Sequence, residues 1–219
     1  MQKNFKAVIF DMDGVIFDLE RSCMETWIAL SGKYGLDNIE EAFLACTGTT
    51  NARTKEIMLE RYGADFPYDE YAKEASVMFH AKNDYGNLPM KQGVVELLEY
   101  LKGEGVKIAL ASSTRRETVT KELHWAGIYE YFDICVCGDM VQKSKPAPDI
   151  YLKACEELGV CPGDAFAIED SINGIRSAYN GGPRPIMVPD LLKPDDEMEN
   201  LAEVILPSLL DVILYLENM

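Results

Sequence analysis

Histidine is scarce in this chain, with only His80 and His124 among 219 residues. The six cysteines (Cys23, Cys46, Cys135, Cys137, Cys155 and Cys161) are scattered, and no two are spaced as C-x-x-C. A tetrahedral zinc site needs a second cysteine pair or histidines, so the C-x-C of "DICVCGD" has nothing to complete it. Dispersed thiols of this kind fit a reduced compartment better than a disulfide framework. Positive charge is also sparse: 21 Lys and Arg stand against 37 Asp and Glu, a net charge of −16. Binding to nucleic acid needs clustered Lys and Arg, and "KGEGVK" and "STRRE" are too short to form a patch. The excess acid reads as a solvated surface. No hydrophobic run approaches the length of a membrane span. "MQKNFKAVIFD" meets acids after a short apolar run, unlike a secretory leader, so the expected location is cytoplasmic. Internal repeats and low-complexity tracts are absent too.

What the chain does have is a series of short apolar runs. They are "KAVIF" (6–10), "VKIALA" (106–111), "DICVC" (133–137), "AFAI" (165–168), "PIMV" (185–188) and "EVIL" (203–206). Runs this short and this rich in Val, Ile and Ala suit strands covered on both faces. Helical segments lie between the later ones. "TRRETVTKELHWAG" carries a capping box from Thr114 to Glu117 and closes on Gly127. "PDIYLKACEELG" has Pro148 near its first turn and Gly159 at its end. "SINGIRSAY" and "PSLLDVILYLENM" supply two more. Strands alternating with helices predict an open, mostly parallel α/β sheet with helices on both faces.

Residues 18–88 break that rhythm. Cys23, Trp27, Leu30 and Tyr34 recur at a helical period, and the segments that follow are helical with no strand pattern between them. The division expected is a core of residues 1–17 and 89–219 with an all-helical cap, 18–88, inserted after the first strand.

Four polar groups fall at predicted strand ends, where open α/β sheets place their sites. They are Asp11 and Asp13 before Gly14, Ser112 with Ser113, Lys145 after the third strand, and Glu169 with Asp170. Taken singly, each has an ordinary reading as a turn, a helix start or a solvated loop residue. Taken together they form a cage of hard oxygen ligands, a cation and a hydroxyl. Four acids so close repel unless a counter-charge sits among them, and Mg²⁺ suits such a cage. The ligand class on which metal, Lys, Ser and helix amides converge is a phosphoryl group.

These stretches, "DMDGVIFD" (11–18), "LASS" (110–113), "KSKPAPDIY" (143–151) and "AIEDSINGI" (167–175), resemble the motifs of the haloacid dehalogenase superfamily, in its β-phosphoglucomutase-like branch. The resemblance covers nearly the whole chain and implies a Rossmann-like core with a helical cap. It implies that Asp11 is the nucleophile forming an aspartyl-phosphate, and that Asp13 is the general acid and base. Asp11, Asp170 and the carbonyl of Asp13 would hold Mg²⁺, with Glu169 supporting it directly or through water. Ser112, Ser113 and Lys145 would bind the phosphoryl oxygens. The cap would read the leaving group through residues around Cys23, Thr49, Thr50, Asn51 and Arg53.

The function expected is hydrolysis of a small phosphorylated metabolite, a sugar phosphate first, by a monomer that binds neither nucleic acid nor membrane. A β-phosphoglucomutase-like phosphotransferase shares every core residue. Resembling mutases, however, carry a histidine where this chain has Cys23 and Met24, and an arginine where it has Asn51. A phospho-receiver or a catalytically silent binding protein is the non-enzyme alternative.

Overall fold

The computed structural model describes residues 4–47, 51–83, 87–191 and 193–219, with the backbone alone at Asn51. The chain divides into two compact units, Met1–Asp18 with Met90–Met219, and Leu19–Pro89.

The first unit is built on six strands: β1 (Ala7–Phe10), β2 (Lys107–Ser112), β3 (Ile134–Cys137), β4 (Ala165–Glu169), β5 (Arg184–Met187) and β6 (Val204–Ile205). They form one parallel sheet in the order β3-β2-β1-β4-β5-β6. The order reverses between β1 and β4, so the carboxyl ends of these two central strands border the crevice where ligands bind in such sheets. All six apolar runs read from the sequence are strands. Those of β1 and β4 are buried at every position, as expected of central strands covered on both faces.

Side chains alternate across the sheet with period two. Ala7, Ile9, Ala109, Ala111, Ala165 and Ala167 share one core cluster with Ile150, Tyr151, Ala154 and Ala178. The last four lie on α7 (Asp149–Leu158) and α8 (Ile172–Gly181). Alanines on the strands let these two helices approach the sheet closely. Phe166 faces the other way, edge-on to Phe5 and to Tyr215 of α10 (Leu209–Glu217). The remaining helices of this unit are α5 (Val94–Gly103), α6 (Arg116–Trp125) and α9 (Asp196–Leu201).

The start of α6 corrects the sequence reading. The helix begins at Arg116 behind Arg115, which makes no side-chain cap, so the Thr114–Glu117 capping box is not formed. The Thr114 hydroxyl is instead bonded to Asp13. True side-chain caps stand at Ser171 for α8, Asp195 for α9 and Ser208 for α10.

The second unit contains α1 (Leu19–Tyr34), α2 (Ile39–Cys46), α3 (Asn51–Tyr62) and α4 (Tyr68–Asn83). Its core is aromatic. Trp27 meets Phe43 and Tyr71 edge-on, and Tyr71 also packs against Tyr34 and Phe66. The buried Tyr71 hydroxyl donates to the Trp27 carbonyl at 3.0 Å, so the ring is buried without stranding a polar atom.

Candidate active site

Asp11 follows directly on β1. Its backbone N–H continues the ladder to β4, donating to the Ile168 carbonyl at 3.0 Å. Glu169 is the last residue of β4, on the same face as Ala165 and Ala167, and it is fully buried. One backbone register therefore fixes both acids, and the third, Asp170, comes one residue later.

Lys145 lies between them. Its ammonium donates to Asp11 Oδ1 at 2.5 Å, to Glu169 Oε1 at 2.6 Å and to the Ala111 carbonyl at 3.0 Å. These are all three of its donors. Burial alone would depress the lysine pKa, but the two carboxylates more than reverse this and it is raised. Asp11 behaves differently. Burial pushes its carboxyl up to about 7, against the pull of Lys145 and with help from Glu169 and Asp13. Asp11 Oδ2 has no hydrogen-bond partner among the described residues.

Glu169 is held from every side. Oε1 also accepts the Tyr151 hydroxyl at 2.7 Å. Oε2 accepts the backbone N–H groups of Asp170 at 3.2 Å and Ser171 at 3.4 Å, and the Ser171 hydroxyl at 3.2 Å. The first turn of α8 closes on the same carboxylate, because Gly174 has no side chain. A Cβ there would collide with the Glu169 carboxyl carbon.

Asp13 sits in the turn after β1, where the Gly14 and Ile16 amides donate to the Phe17 and Met12 carbonyls. Phe17 is wholly buried and forms backbone bridges with Asp13 and Met90, so this bulky residue belongs to the core of the turn. Asp13 Oδ2 accepts the Thr114 hydroxyl at 3.1 Å, and burial raises its carboxyl above the ordinary range. Ser112 closes β2 fully buried, and its Oγ accepts the Thr114 N–H at 3.1 Å. Ser113 is exposed, and its carbonyl packs against Gly138.

One carboxylate oxygen from each of Asp11, Glu169 and Asp170 lies within 4.8 Å of the other two. An all-carboxylate donor set is hard and suits Mg²⁺. Asp170 reaches its place because residue 14 is glycine, in a backbone conformation of φ 90° that favours glycine. The residues present fit a hard cation, with the unengaged Asp11 Oδ2 and the Asp170 carboxylate as its natural donors. Both Glu169 oxygens are already occupied by hydrogen-bond donors.

The expected specificity residues belong to the other unit. Cys23 is half-buried in α1, and burial pushes its thiol up to about 11. Arg53 in α3 pairs with Glu56 at 2.9 Å and Glu60 at 3.2 Å. Thr49 and Thr50 lie outside the described residues, as does the Asn51 side chain. Three contributors escaped the sequence reading: Thr114, Tyr151 and Gly174. Gly174 had left a signal, an isolated glycine inside a helical stretch.

The family model of haloacid dehalogenase-like hydrolases matches residues 8–188. The chain belongs to this family. This hydrolase is 33% identical over 178 residues to the phosphorylated carbohydrates phosphatase of Thermotoga maritima, covering 81% of this chain and 82% of that protein. It is similar in structure to a HAD family hydrolase from Deinococcus radiodurans crystallised with bound phosphate and sodium. There the TM-score is 0.80 at 25% identity, over 96% of this chain and 94% of the other. It is similar as well to CbbY from Rhodobacter sphaeroides in complex with phosphate, with a TM-score of 0.67 at 28% identity over 95% and 96% of the chains. The hydrolase is a phosphatase. Among the described residues, no helix is long and apolar enough to cross a membrane.

Proposed function

We propose that this phosphatase hydrolyses a small phosphorylated metabolite, a sugar phosphate in the first instance, by way of an aspartyl-phosphate. The observation that carries the reading is the arrangement at Asp11. One of its oxygens is held by Lys145 at 2.5 Å, and the other has no hydrogen-bond partner among the described residues. That leaves an oriented nucleophilic oxygen beside a fixed positive charge.

In the first step Asp11 Oδ2 bonds to phosphorus and the ester P–O bond breaks. Asp13, whose carboxyl burial raises above the ordinary range, gives a proton to the leaving oxygen in this step, releasing the alcohol. In the second step Asp13 takes a proton from water as the water oxygen bonds to phosphorus. The bond between phosphorus and Asp11 then breaks, giving inorganic phosphate and the free carboxylate. The Ser112 hydroxyl donates to a phosphoryl oxygen meanwhile and the Lys145 ammonium, its three donors already engaged, contributes its positive charge beside it, so that catalysis is largely positioning and charge neutralisation. Asp11 and Asp170 are the residues that would hold Mg²⁺, together with the Asp13 carbonyl that the family resemblance adds. When bound, the ion supplies a counter-charge to carboxylate and phosphoryl oxygens.

The sugar-phosphate assignment draws on the relative from Thermotoga maritima named for phosphorylated carbohydrates. In this reading Cys23, Asn51 and Arg53 of the helical unit take part in choosing the substrate, and the enzyme works as a cytoplasmic monomer. The test is a panel of sugar phosphates and nucleotides assayed for inorganic phosphate with and without Mg²⁺. Turnover that needs Mg²⁺ and disappears in Asp11→Asn is the expected result. No turnover on any ester, or turnover untouched by that substitution, overturns the reading. Interconversion of sugar 1- and 6-phosphates that outpaces phosphate release would replace it with a mutase.

A further inference from the structure

Tyr151 lies on α7, not in the acid-bearing strand ends, yet it touches two members of the site. The ring is fully buried in the core shared by the sheet, α7 and α8. Gly181 of α8 lets the two helices cross here; a Cβ at that residue would stand 3.2 Å from Tyr151 Cβ. The hydroxyl donates to Glu169 Oε1 at 2.7 Å, and the Lys145 ammonium lies 5.2 Å from the ring centroid. The oxygen that Tyr151 holds is the one that holds Lys145.

The geometry assigns Tyr151 as a positioning residue, one that fixes Glu169 Oε1 so that Glu169 keeps the Lys145 ammonium against Asp11. This rests on the reading of Asp11 as nucleophile and Lys145 as its charge partner. A buried hydroxyl packed beside a buried carboxylate must have a partner whatever its function, so hydrogen bonding alone does not set the role. The chain of contacts does: Tyr151 to Glu169, Glu169 to Lys145, Lys145 to Asp11. Of the groups on Oε1 only Lys145 reaches the nucleophile. Loss of the tyrosine hydroxyl leaves Oε1 held by Lys145 alone while Oε2 keeps its three donors, so the carboxylate tilts about its last torsion and its grip on the ammonium loosens.

Tyr151→Phe removes one oxygen and keeps the ring, so the packing survives. Two measurements test the assignment on the full chain. The first is the rate at which Lys145 is acetylated by acetic anhydride, read by peptide mass spectrometry with exposed Lys6 as internal reference. Lys145 has only 8% of its side chain exposed, so it starts as a slow site. The rate should rise severalfold in the variant while Lys6 is unchanged. An unchanged Lys145 rate overturns the assignment, and this readout does not depend on enzymatic turnover.

The second is a double-mutant cycle with Glu169→Gln on the substrate found for the wild type. Alone, Tyr151→Phe should lower kcat about tenfold and move KM less; in the Glu169→Gln background it should add little. A drop confined to melting temperature, with kcat intact, or an effect that adds fully to Glu169→Gln, is the mark of a merely structural tyrosine and overturns the assignment. If Tyr151→Phe does not fold, Glu169→Gln tests the same link, because it weakens the carboxylate's hold on the ammonium directly. Faster Lys145 labelling there supports the link, and an unchanged rate overturns it. A wild type inactive on every ester would remove the functional reading while the labelling result still stood.

Discussion

Gly14 stands directly against the Asp170 carboxylate, closely enough that a Cβ on residue 14 would collide with Oδ2. The turn after β1 and the end of β4 meet there, and only a residue without a side chain lets them. Gly14→Ala must displace Asp170 and also strains a backbone at φ 90°. The expected outcome is that the unsubstituted protein melts higher with Mg²⁺ and the variant does not, together with destabilisation of about 1–3 kcal/mol. Thermal melts of both proteins with and without Mg²⁺ check this.

Asp11→Asn keeps the shape of the side chain and removes the negative charge of the proposed nucleophile. Turnover should fall at least about a thousandfold while the protein remains folded. Steady-state phosphate release alongside circular dichroism separates the two effects.

In the proposed function, proton and metal compete for Asp11. Its carboxyl is pushed from 3.8 up to about 7, chiefly by burial. The folded chain thus retains a proton that the unfolded chain gives up, so this contribution to stability is full at low pH and is lost as pH rises toward 7. Above that range the ionised Asp11 faces Glu169 and Asp13, and a cation relieves the crowding. Mg²⁺ should therefore raise the melting temperature more at about pH 8 than at about pH 5.5. An equal or reversed shift contradicts the placement of these acids around one ion.

Lys91 and Asp190 form a part-buried ion pair at 2.7 Å, with side-chain exposures of 16% and 3%. Asp190 Oδ2 is buried without a hydrogen-bond partner among the described residues. Lys91→Met would strand a buried carboxylate at a cost of about 3–5 kcal/mol. Adding Asp190→Leu should recover most of that. Chemical denaturation of the single and double variants measures the recovery.

The strands were legible because a strand covered on both faces leaves an uninterrupted apolar run, and "KAVIF" and "AFAI" are such runs. The acids were legible because they end those runs. What the sequence did not reveal was how side chains choose partners across elements. Thr114 heads a stretch that reads as a capping box, yet its hydroxyl goes to Asp13, 101 residues away in the chain. The helix starts at Arg116 behind Arg115, one residue later than the pattern implies, so Thr114 is outside the cap position and its hydroxyl donates to Asp13. Tyr151 reads as one more apolar position of an amphipathic helix, since nothing local reports that Glu169 waits at its hydroxyl. Lys145 reads as a partner for Asp11 or for a phosphate; its bond to Glu169 follows only from the adjacency of β1 and β4.

That adjacency has a consequence for redesign. Phe10 is in register with Ile168, and one step further along Asp11 and Glu169 share a face because side chains alternate. Deleting a single residue from β4 would turn Glu169 to the opposite side and bring Asp170 into its place. The ammonium of Lys145 would then meet a shorter carboxylate. Loop grafts that leave both strands at their present length preserve the spacing, whereas trimming either strand by one residue does not.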